Sequence, residues 1–130
     1  MHEHEASEVL RLMRLLWPDC EDETINDDAV LVLERESGGL GGFLALDMRP
    51  WAEGCTSEPC AYVEGWWIDE DLRRHGWGRK LMEAAEAWAR SRGSRELASD
   101  AEVTNAISVR AHADLGFDEV QRIVCFRKRL

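Results

Sequence analysis

Hydrophobic and polar positions change their spacing several times along this 130-residue chain, which predicts alternating helices and strands. Apolar residues at positions 6–17 recur at helical spacing, and Pro18 closes this first helix. Residues 29–35 and 40–48 alternate on either side of a Gly-Gly turn. This arrangement predicts an antiparallel hairpin.

The second half of the chain returns to the same alternation. Residues 62–69 read as a strand, and Gly65 inside it marks a bulge or a close approach of another backbone. A helix follows at 77–90, capped by Gly93, with a buried stripe expected at Trp77, Leu81, Ala84, Ala85 and Trp88. The remaining predicted elements are a strand at 95–99, a helix at 104–115 ended by Gly116, and a last strand at 119–128.

Composition predicts one domain spanning residues 1–130, because 45% hydrophobic residues in a chain of this length supply one core. No apolar run approaches the roughly 20 residues that cross a bilayer, and residues 1–5 do not resemble a signal peptide. We therefore expect a cytoplasmic protein without a membrane partner. The cysteines are Cys20, Cys55, Cys60 and Cys125. They form no Cys-x-x-Cys pair, so free thiols and no metal are expected, with zinc or disulfides as alternatives.

Charge is distributed unevenly along the chain, whose net charge is −10. Residues 1–71 hold 18 acids and four bases, a net charge of −14, whereas residues 72–130 hold eight acids and 12 bases, a net charge of +4. Such a field attracts a polycation to the first half and a polyanion to the second, and the net charge opposes nucleic-acid binding. A solubilising acidic surface is the alternative.

Residues 73–78, Arg-Arg-His-Gly-Trp-Gly, link a predicted strand to a predicted helix. A glycine turn at a helix start presents backbone N–H groups to an anion, and the basic side chains favour a pyrophosphate there. Many phosphate loops share this logic, and a capped helix start with solvated arginines is the alternative.

The Arg-x-x-Gly-x-Gly pattern resembles the acyl-CoA signature of the GNAT N-acetyltransferases, and residues 105–117 resemble their second CoA-contacting helix. Within this superfamily, other segments are similar to the aminoglycoside 6'-N-acetyltransferases. These segments are Leu16-Trp17-Pro18, Tyr62-Val63-Glu64-Gly65, residues 95–100 with Asn105, and residues 122–129. The resemblance covers residues 10–130.

This resemblance implies a GNAT fold, an α/β architecture with a mixed central β-sheet flanked by helices and, here, a shortened N-terminal region. It implies direct transfer of acetyl from acetyl-CoA to the 6'-amine of a cationic aminoglycoside in a ternary complex, hence antibiotic resistance. A homodimer is also implied. The residues expected to bind the co-substrate acetyl-CoA are Trp66, Trp67, Ile68, Arg73, Arg74, His75, Gly76, Trp77, Gly78, Arg79 and Asn105.

Two acids are implied as ligands of the substrate amines. If the strand alternates, Glu64 shares a face with Tyr62, Trp66 and Ile68, where an acid is costly without a cationic partner. By resemblance Glu64 binds the amine and is a candidate catalytic base; pairing with a structural arginine is the alternative. Asp100 resembles the family's ligand of an ammonium group, and a turn or cap role is the alternative.

His112 is the second candidate catalytic residue, since it stands where many GNAT enzymes carry a tyrosine that protonates the thiolate. A packed helix residue is the alternative, as ordinary N-capping is for Asn105. Trp17 and Trp51 match aromatic positions of the acceptor cleft. Gln121 replaces an acid that relatives use across a dimer, which removes one cationic subsite.

Two other functions stay open at this stage. One is a GNAT enzyme acting on a polyamine, peptide or protein amine. The other belongs to a different class, a non-catalytic acyl-CoA-binding module, because the loop motif explains binding more directly than turnover.

Overall fold

The computed structural model describes residues 30–130, in which four strands form one sheet flanked by two α-helices. The elements are β1 (Val30–Glu34), β2 (Leu40–Arg49), β3 (Cys60–Ile68), a 3-10 turn (Glu70–Leu72), α1 (Trp77–Ser91), β4 (Leu97–Ser99) and α2 (Ala106–Asp114). The strand order is β1-β2-β3-β4, antiparallel except for the parallel pair β3–β4. The predicted mixed sheet is therefore confirmed. The predicted first helix, Trp17 and Cys20 lie outside the described residues.

The predicted hairpin is confirmed as β1 and β2, joined by a turn in which Gly38 and Gly39 have φ angles of +96° and +74°. These left-handed conformations are ones that glycine adopts without strain. Alternation along the hairpin separates two apolar clusters on opposite faces of the sheet. Leu44 belongs to the cluster that packs against α1, and Phe43 belongs to the other.

A β-bulge interrupts the pairing of β2 with β3. Ala45 lies opposite Gly65 and Leu46 lies opposite Val63, so Glu64 is an extra residue on β3. The bulge predicted from Gly65 is therefore present, with Glu64 as the inserted residue.

The bulge changes which side chains of β3 share a face. Trp66 and Ile68 pack with Val63 in the cluster beneath α1, whereas Tyr62 packs in a different cluster. The expectation that Tyr62, Glu64, Trp66 and Ile68 lie on one face is wrong, because it assumed uninterrupted alternation. One inserted residue moves all later side chains to the opposite face.

Helix α1 packs on the sheet through a face that includes three of the five predicted stripe residues, since Leu81 and Ala85 are buried and Trp88 is partly buried against the core. Its buried residues are Leu81, Met82, Ala85 and Ala89. Trp77 is 36% exposed and Ala84 is also exposed, so their assignment to the stripe is wrong. Gly93 ends the helix as predicted, with a φ of +81°.

The last predicted strand, residues 119–128, is not formed in the described chain. Residues 118–130 have no regular secondary structure, although α2 ends before Gly116 as expected. The apolar side chains of this segment are exposed, 77% for Val124 and 92% for Phe126. A strand needs the edge of another strand to satisfy its backbone groups. Residues 119–128 have no such neighbour within 30–130.

Candidate active site

A cleft opens where β3 and β4 separate. The two strands pair over three positions, the last being Val63 opposite Ser99. β3 then continues to Ile68 whereas β4 ends at Ser99. Within the described part of the chain, β4 forms no ladder with residues 64–68. The N–H and C=O groups there that point away from β2 can therefore bind an extended ligand.

The loop between the 3-10 turn and α1 forms one end of this cleft. Arg74 and Gly76 have left-handed φ angles of 67° and 85°, and α1 begins at Trp77. The first turn of α1 contains no acidic residue, while Arg74 and His75 are exposed before it. Free N–H groups at a helix start beside basic side chains favour an anion such as pyrophosphate.

Arg73 is fixed against the end of β3. Its Nε–H donates a 2.7 Å hydrogen bond to the carbonyl of Ile68, and its guanidinium lies 4.9 Å from the centroid of the Trp67 ring. Since an arginine has about five N–H donors, the remaining ones can still reach a phosphate.

Two other loop residues have structural contacts. A Cβ on Gly78 would lie 3.1 Å from Trp66 and 3.3 Å from Ile68, so glycine allows α1 to begin close to β3. Arg79 donates from Nη2 to the carbonyl of Asp114 at 3.1 Å, which links α1 to the end of α2.

Glu64 is paired with Arg49. The Nε–H and Nη2–H of Arg49 donate to the two carboxylate oxygens of Glu64 at 2.8 and 2.7 Å, and both side chains are about one-third exposed. This bidentate pairing raises the pKa of Arg49 above its ordinary value. The predicted alternative, an acid paired with an arginine, is what the structure contains.

Asp100 lies next to the same group of side chains. It accepts a 2.6 Å hydrogen bond from the hydroxyl of Tyr62, and the guanidinium carbon of Arg49 lies 3.5 Å from the centroid of the Tyr62 ring. Burial, and then the bond to Asp100, raise the pKa of Tyr62, which stays protonated. Glu64, Arg49, Tyr62 and Asp100 therefore form one connected network.

His112 is held by hydrogen bonds at both ring nitrogens. Nδ1 lies 2.7 Å from the carbonyl of Ser108, and Nε2 lies 2.7 Å from Oγ of Ser99. A carbonyl only accepts, so Nδ1–H donates to Ser108, while the direction of the bond between Nε2 and the Ser99 hydroxyl depends on whether Nε2 carries a proton. The ring also has edge contacts with Trp66 and Phe117. His112 thus joins α2 to the end of β4.

The other predicted site residues are more dispersed. Asn105 caps α2, since its side chain accepts from the Ser108 N–H at 3.1 Å, which is the predicted alternative role. Trp51 is 62% exposed, two residues beyond Arg49. Gln121 lies in the exposed C-terminal segment.

Sequence reasoning missed Arg49 and Ser99. Arg49 is one of only four bases among the first 71 residues, and it ends a strand next to the predicted acceptor loop. A single base at this place in an acidic half of the chain was the feature that could have indicated a partner for Glu64. Ser99 directly precedes Asp100, but its bond to His112 depends on how α2 packs, which spacing does not reveal.

Within residues 30–130, the cysteines Cys55, Cys60 and Cys125 are free thiols, and no group of three metal-ligating side chains comes together. No helix among these residues has the length and hydropathy needed to span a bilayer.

The sequence profile of the acetyltransferase (GNAT) family matches residues 2–117. The chain is 44% identical to an aminoglycoside N(6')-acetyltransferase type 1 of Serratia marcescens, over 93% of this chain and 90% of the relative. It is 41% identical to a protein of the same name from Klebsiella aerogenes, over 88% of this chain and 84% of that one.

Two solved structures are similar over all of this chain and 95% of theirs. One is the aminoglycoside 6'-N-acetyltransferase AAC(6')-Ih of Acinetobacter baumannii, with a TM-score of 0.88 and 31% identity. The other is AAC(6')-Iy in complex with the bisubstrate analogue CoA-S-monomethyl-acetylneamine, with a TM-score of 0.87 and 28% identity.

Proposed function

We propose a function from the premise that this chain belongs to the acetyltransferase (GNAT) family: it transfers acetyl from acetyl-CoA to the 6'-amine of an aminoglycoside. The activity is that of an acetyl-CoA-dependent N-acetyltransferase, and its expected consequence is antibiotic resistance. We treat residues 1–130 as one catalytic domain.

One observation carries this proposal most directly. Glu64 and Asp100 each follow the last residue of the β3–β4 pairing, so two carboxylates stand where the cleft between these strands opens. Parallel sheets bind ligands at such openings beyond the carboxyl ends of their strands. Two acids there suit a polycationic acceptor, and Trp51 and Trp17 would stack on its sugar rings.

The co-substrate is proposed to lie along the cleft. The pyrophosphate of acetyl-CoA would bind the N–H groups and basic side chains of residues 73–79. The pantetheine arm would pair with those backbone groups of residues 66–68 that bond neither to β2 nor to Arg73, and would contact Asn105, whose amide nitrogen is not used in capping. A backbone N–H of β3 would then donate to the thioester oxygen as negative charge develops there.

Acetyl transfer requires no covalent intermediate with the protein. The neutral amine attacks the thioester carbon, the C–S bond breaks, and the amine loses a proton while the thiolate gains one. We assign the amine side to Glu64 and the thiolate side to His112. Because Nδ1–H is held by a carbonyl, the proton that His112 would supply is the one on Nε2 of its doubly protonated ring. The Ser99 hydroxyl would pass its own proton to the thiolate and take one from Nε2, which leaves a neutral ring, while the proton lost by the amine leaves through Glu64.

A panel of amines assayed for CoA release tests the function. We expect release with kanamycin A, acetylation at its 6' nitrogen by mass spectrometry and NMR, and no reaction at that position in a 6'-hydroxyl analogue. Release only with a polyamine or a peptide would favour the other GNAT function. Acetyl-CoA binding without release for any amine would favour a non-catalytic module.

We further propose a homodimer, in which residues 119–128 of one copy form a strand beside β4 of the other. β4 is the last strand of the sheet in the described range, and a cavity of about 440 Å³ lies along it. Val120 of the same chain already lines this cavity, and the exposed apolar residues that would fill it from a second copy are Ile123, Val124 and Phe126. A strand from a second copy would pair with the backbone groups at the open edge of β4 and would bury the apolar side chains of residues 119–128.

The proposed location is the cytoplasm, where metabolism supplies acetyl-CoA. Neither nucleic acid nor membrane is a proposed partner.

A further inference from the structure

Arg49 lies in the proposed acceptor site, where its positive charge would weaken the binding of a cationic acceptor. Its presence there calls for a role in the reaction. The proposed acceptor is a polycation, yet Arg49 forms a bidentate pair with Glu64, the acid expected to bind the reacting amine. A guanidinium there repels an ammonium group. Binding alone would be stronger without it.

The reaction, however, needs the neutral form of the amine. An unpaired carboxylate beside an amine stabilises its ammonium form and raises its pKa, so the amine would bind well but remain unreactive. The positive charge of Arg49 opposes this effect. A bidentate pair also uses only two of the about four acceptor positions of a carboxylate, so Glu64 can still accept from an amine N–H.

Asp100 has a different environment. Its Oδ2 accepts a hydrogen bond from the neutral Tyr62 hydroxyl, and Arg49 acts on Asp100 through space rather than through a bidentate pair. The structure thus distinguishes the two acids: Glu64 is paired with a cation, and Asp100 is bonded to a neutral group.

We propose that Arg49 is a positioning residue that neutralises Glu64, so that Glu64 accepts a hydrogen bond from the neutral reacting amine while Asp100 binds a second, charged ammonium of the acceptor. This rests on the proposed function. The groups that face Arg49 are Glu64 and Tyr62 on β3 and Asp100 beyond β4, and Glu53 on the loop after β2 acts on Tyr62.

The Arg49→Met variant tests the proposal, because methionine keeps an apolar stem over Tyr62 and removes the charge. Without the cation, the pKa of the bound amine rises and less of it is neutral at pH 7. We expect the acid limb of kcat, measured in single turnovers with saturating substrates, to move up by about one pH unit. At pH 7 kcat should fall about tenfold, recovering at high pH, while KM for kanamycin A stays equal or falls.

Two further variants separate charge from structure. Arg49→Lys keeps the charge and should return the acid limb towards its wild-type position. In Arg49→Met/Glu64→Gln the unpaired carboxylate is gone as well, so the limb should again lie near wild type, although kcat stays low. Arg92→Met is the matched control: Arg92 also stacks on an aromatic ring, Trp88, but at the far end of α1. The Arg92→Met variant should change neither the acid limb of kcat nor KM for kanamycin A.

The outcomes are distinct. If Arg49→Met raises KM and leaves the acid limb of kcat unchanged while thermal unfolding and acetyl-CoA affinity match wild type, Arg49 only helps to bind the acceptor and the proposal is wrong. If wild type acetylates another amine instead of kanamycin A, the proposed function fails. The pH dependence of kcat for wild type and the Arg49 variants, measured with that amine, then tests the role of Arg49 separately. A wild type that releases no CoA with any amine overturns both.

Discussion

Glu64 and Asp100 each follow the last residue of the pairing between β3 and β4, but their neighbours predict different effects when each acid becomes an amide. Each loses a charge-assisted hydrogen bond to the acceptor, about 1.5 to 3 kcal/mol. Glu64→Gln and Asp100→Asn should each lower kcat/KM for aminoglycosides by about 10 to 100-fold. Glu64→Gln should act mainly on kcat, and Asp100→Asn mainly on KM.

Steady-state kinetics with varied acceptor, beside calorimetric titration of acetyl-CoA, measures these effects. Glu36→Gln, in the exposed hairpin turn, is a matched control that changes net charge equally. A loss of acetyl-CoA affinity in either site variant would contradict the separation of acceptor and co-substrate sites.

At the scale of elements, the start of α1 combines close packing with the proposed pyrophosphate site. Gly78→Asp adds both a Cβ near Trp66 and a negative charge, whereas Gly78→Ala adds the Cβ alone. We expect Gly78→Asp to weaken acetyl-CoA binding at least tenfold, about 1.4 kcal/mol, and Gly78→Ala to weaken it much less. Calorimetry on the folded variants at two salt concentrations measures this. Equal losses for both would assign Gly78 to packing and remove the anion argument.

The elements also show how far sequence patterns reach. Alternation on both sides of a Gly-Gly turn was sufficient for the hairpin, and glycine positions gave the end of α1 and the bulge. Trp77 was wrongly placed on the buried face of α1 because it is large and apolar, yet it lies at the helix start, where the ammonium group of Lys80 lies over its ring. Tertiary packing, not periodicity, decided that position.

The candidate site was predictable only in part. The loop at 73–78 and the two acids followed from motifs and resemblance, since these depend on residue type and order. The pairing of Arg49 with Glu64 depends on a bulge that redirects a side chain, and the bond from Ser99 to His112 depends on the packing of α2. Neither contact can be predicted from the spacing of residues along the chain.

At the scale of the whole molecule, the predicted last strand was wrong within one chain, because pattern alone does not identify the partner edge. If a second copy supplies that edge, acidic substitutions in the segment should dissociate the dimer. We expect wild type to sediment as a dimer, and Ile123→Glu and Phe126→Glu to sediment as monomers at micromolar concentration.

Val103→Glu is the matched control for this experiment. Val103 is 64% exposed and lies outside the segment, so the same change in side-chain chemistry should leave the dimer intact. Sedimentation velocity distinguishes the species. A wild type that is monomeric at all concentrations, or a Phe126→Glu variant that remains dimeric, would contradict the proposed strand exchange.

The bulge at Glu64 has a consequence for how this gene can vary. Loss of one codon at this position would restore regular alternation and turn Trp66 and Ile68 away from α1, towards the opposite face of the sheet. Gain of one codon between residues 63 and 66 would do the same. Natural alleles should therefore differ here by substitution and keep the segment length constant, while insertions and deletions accumulate in loops such as residues 50–59.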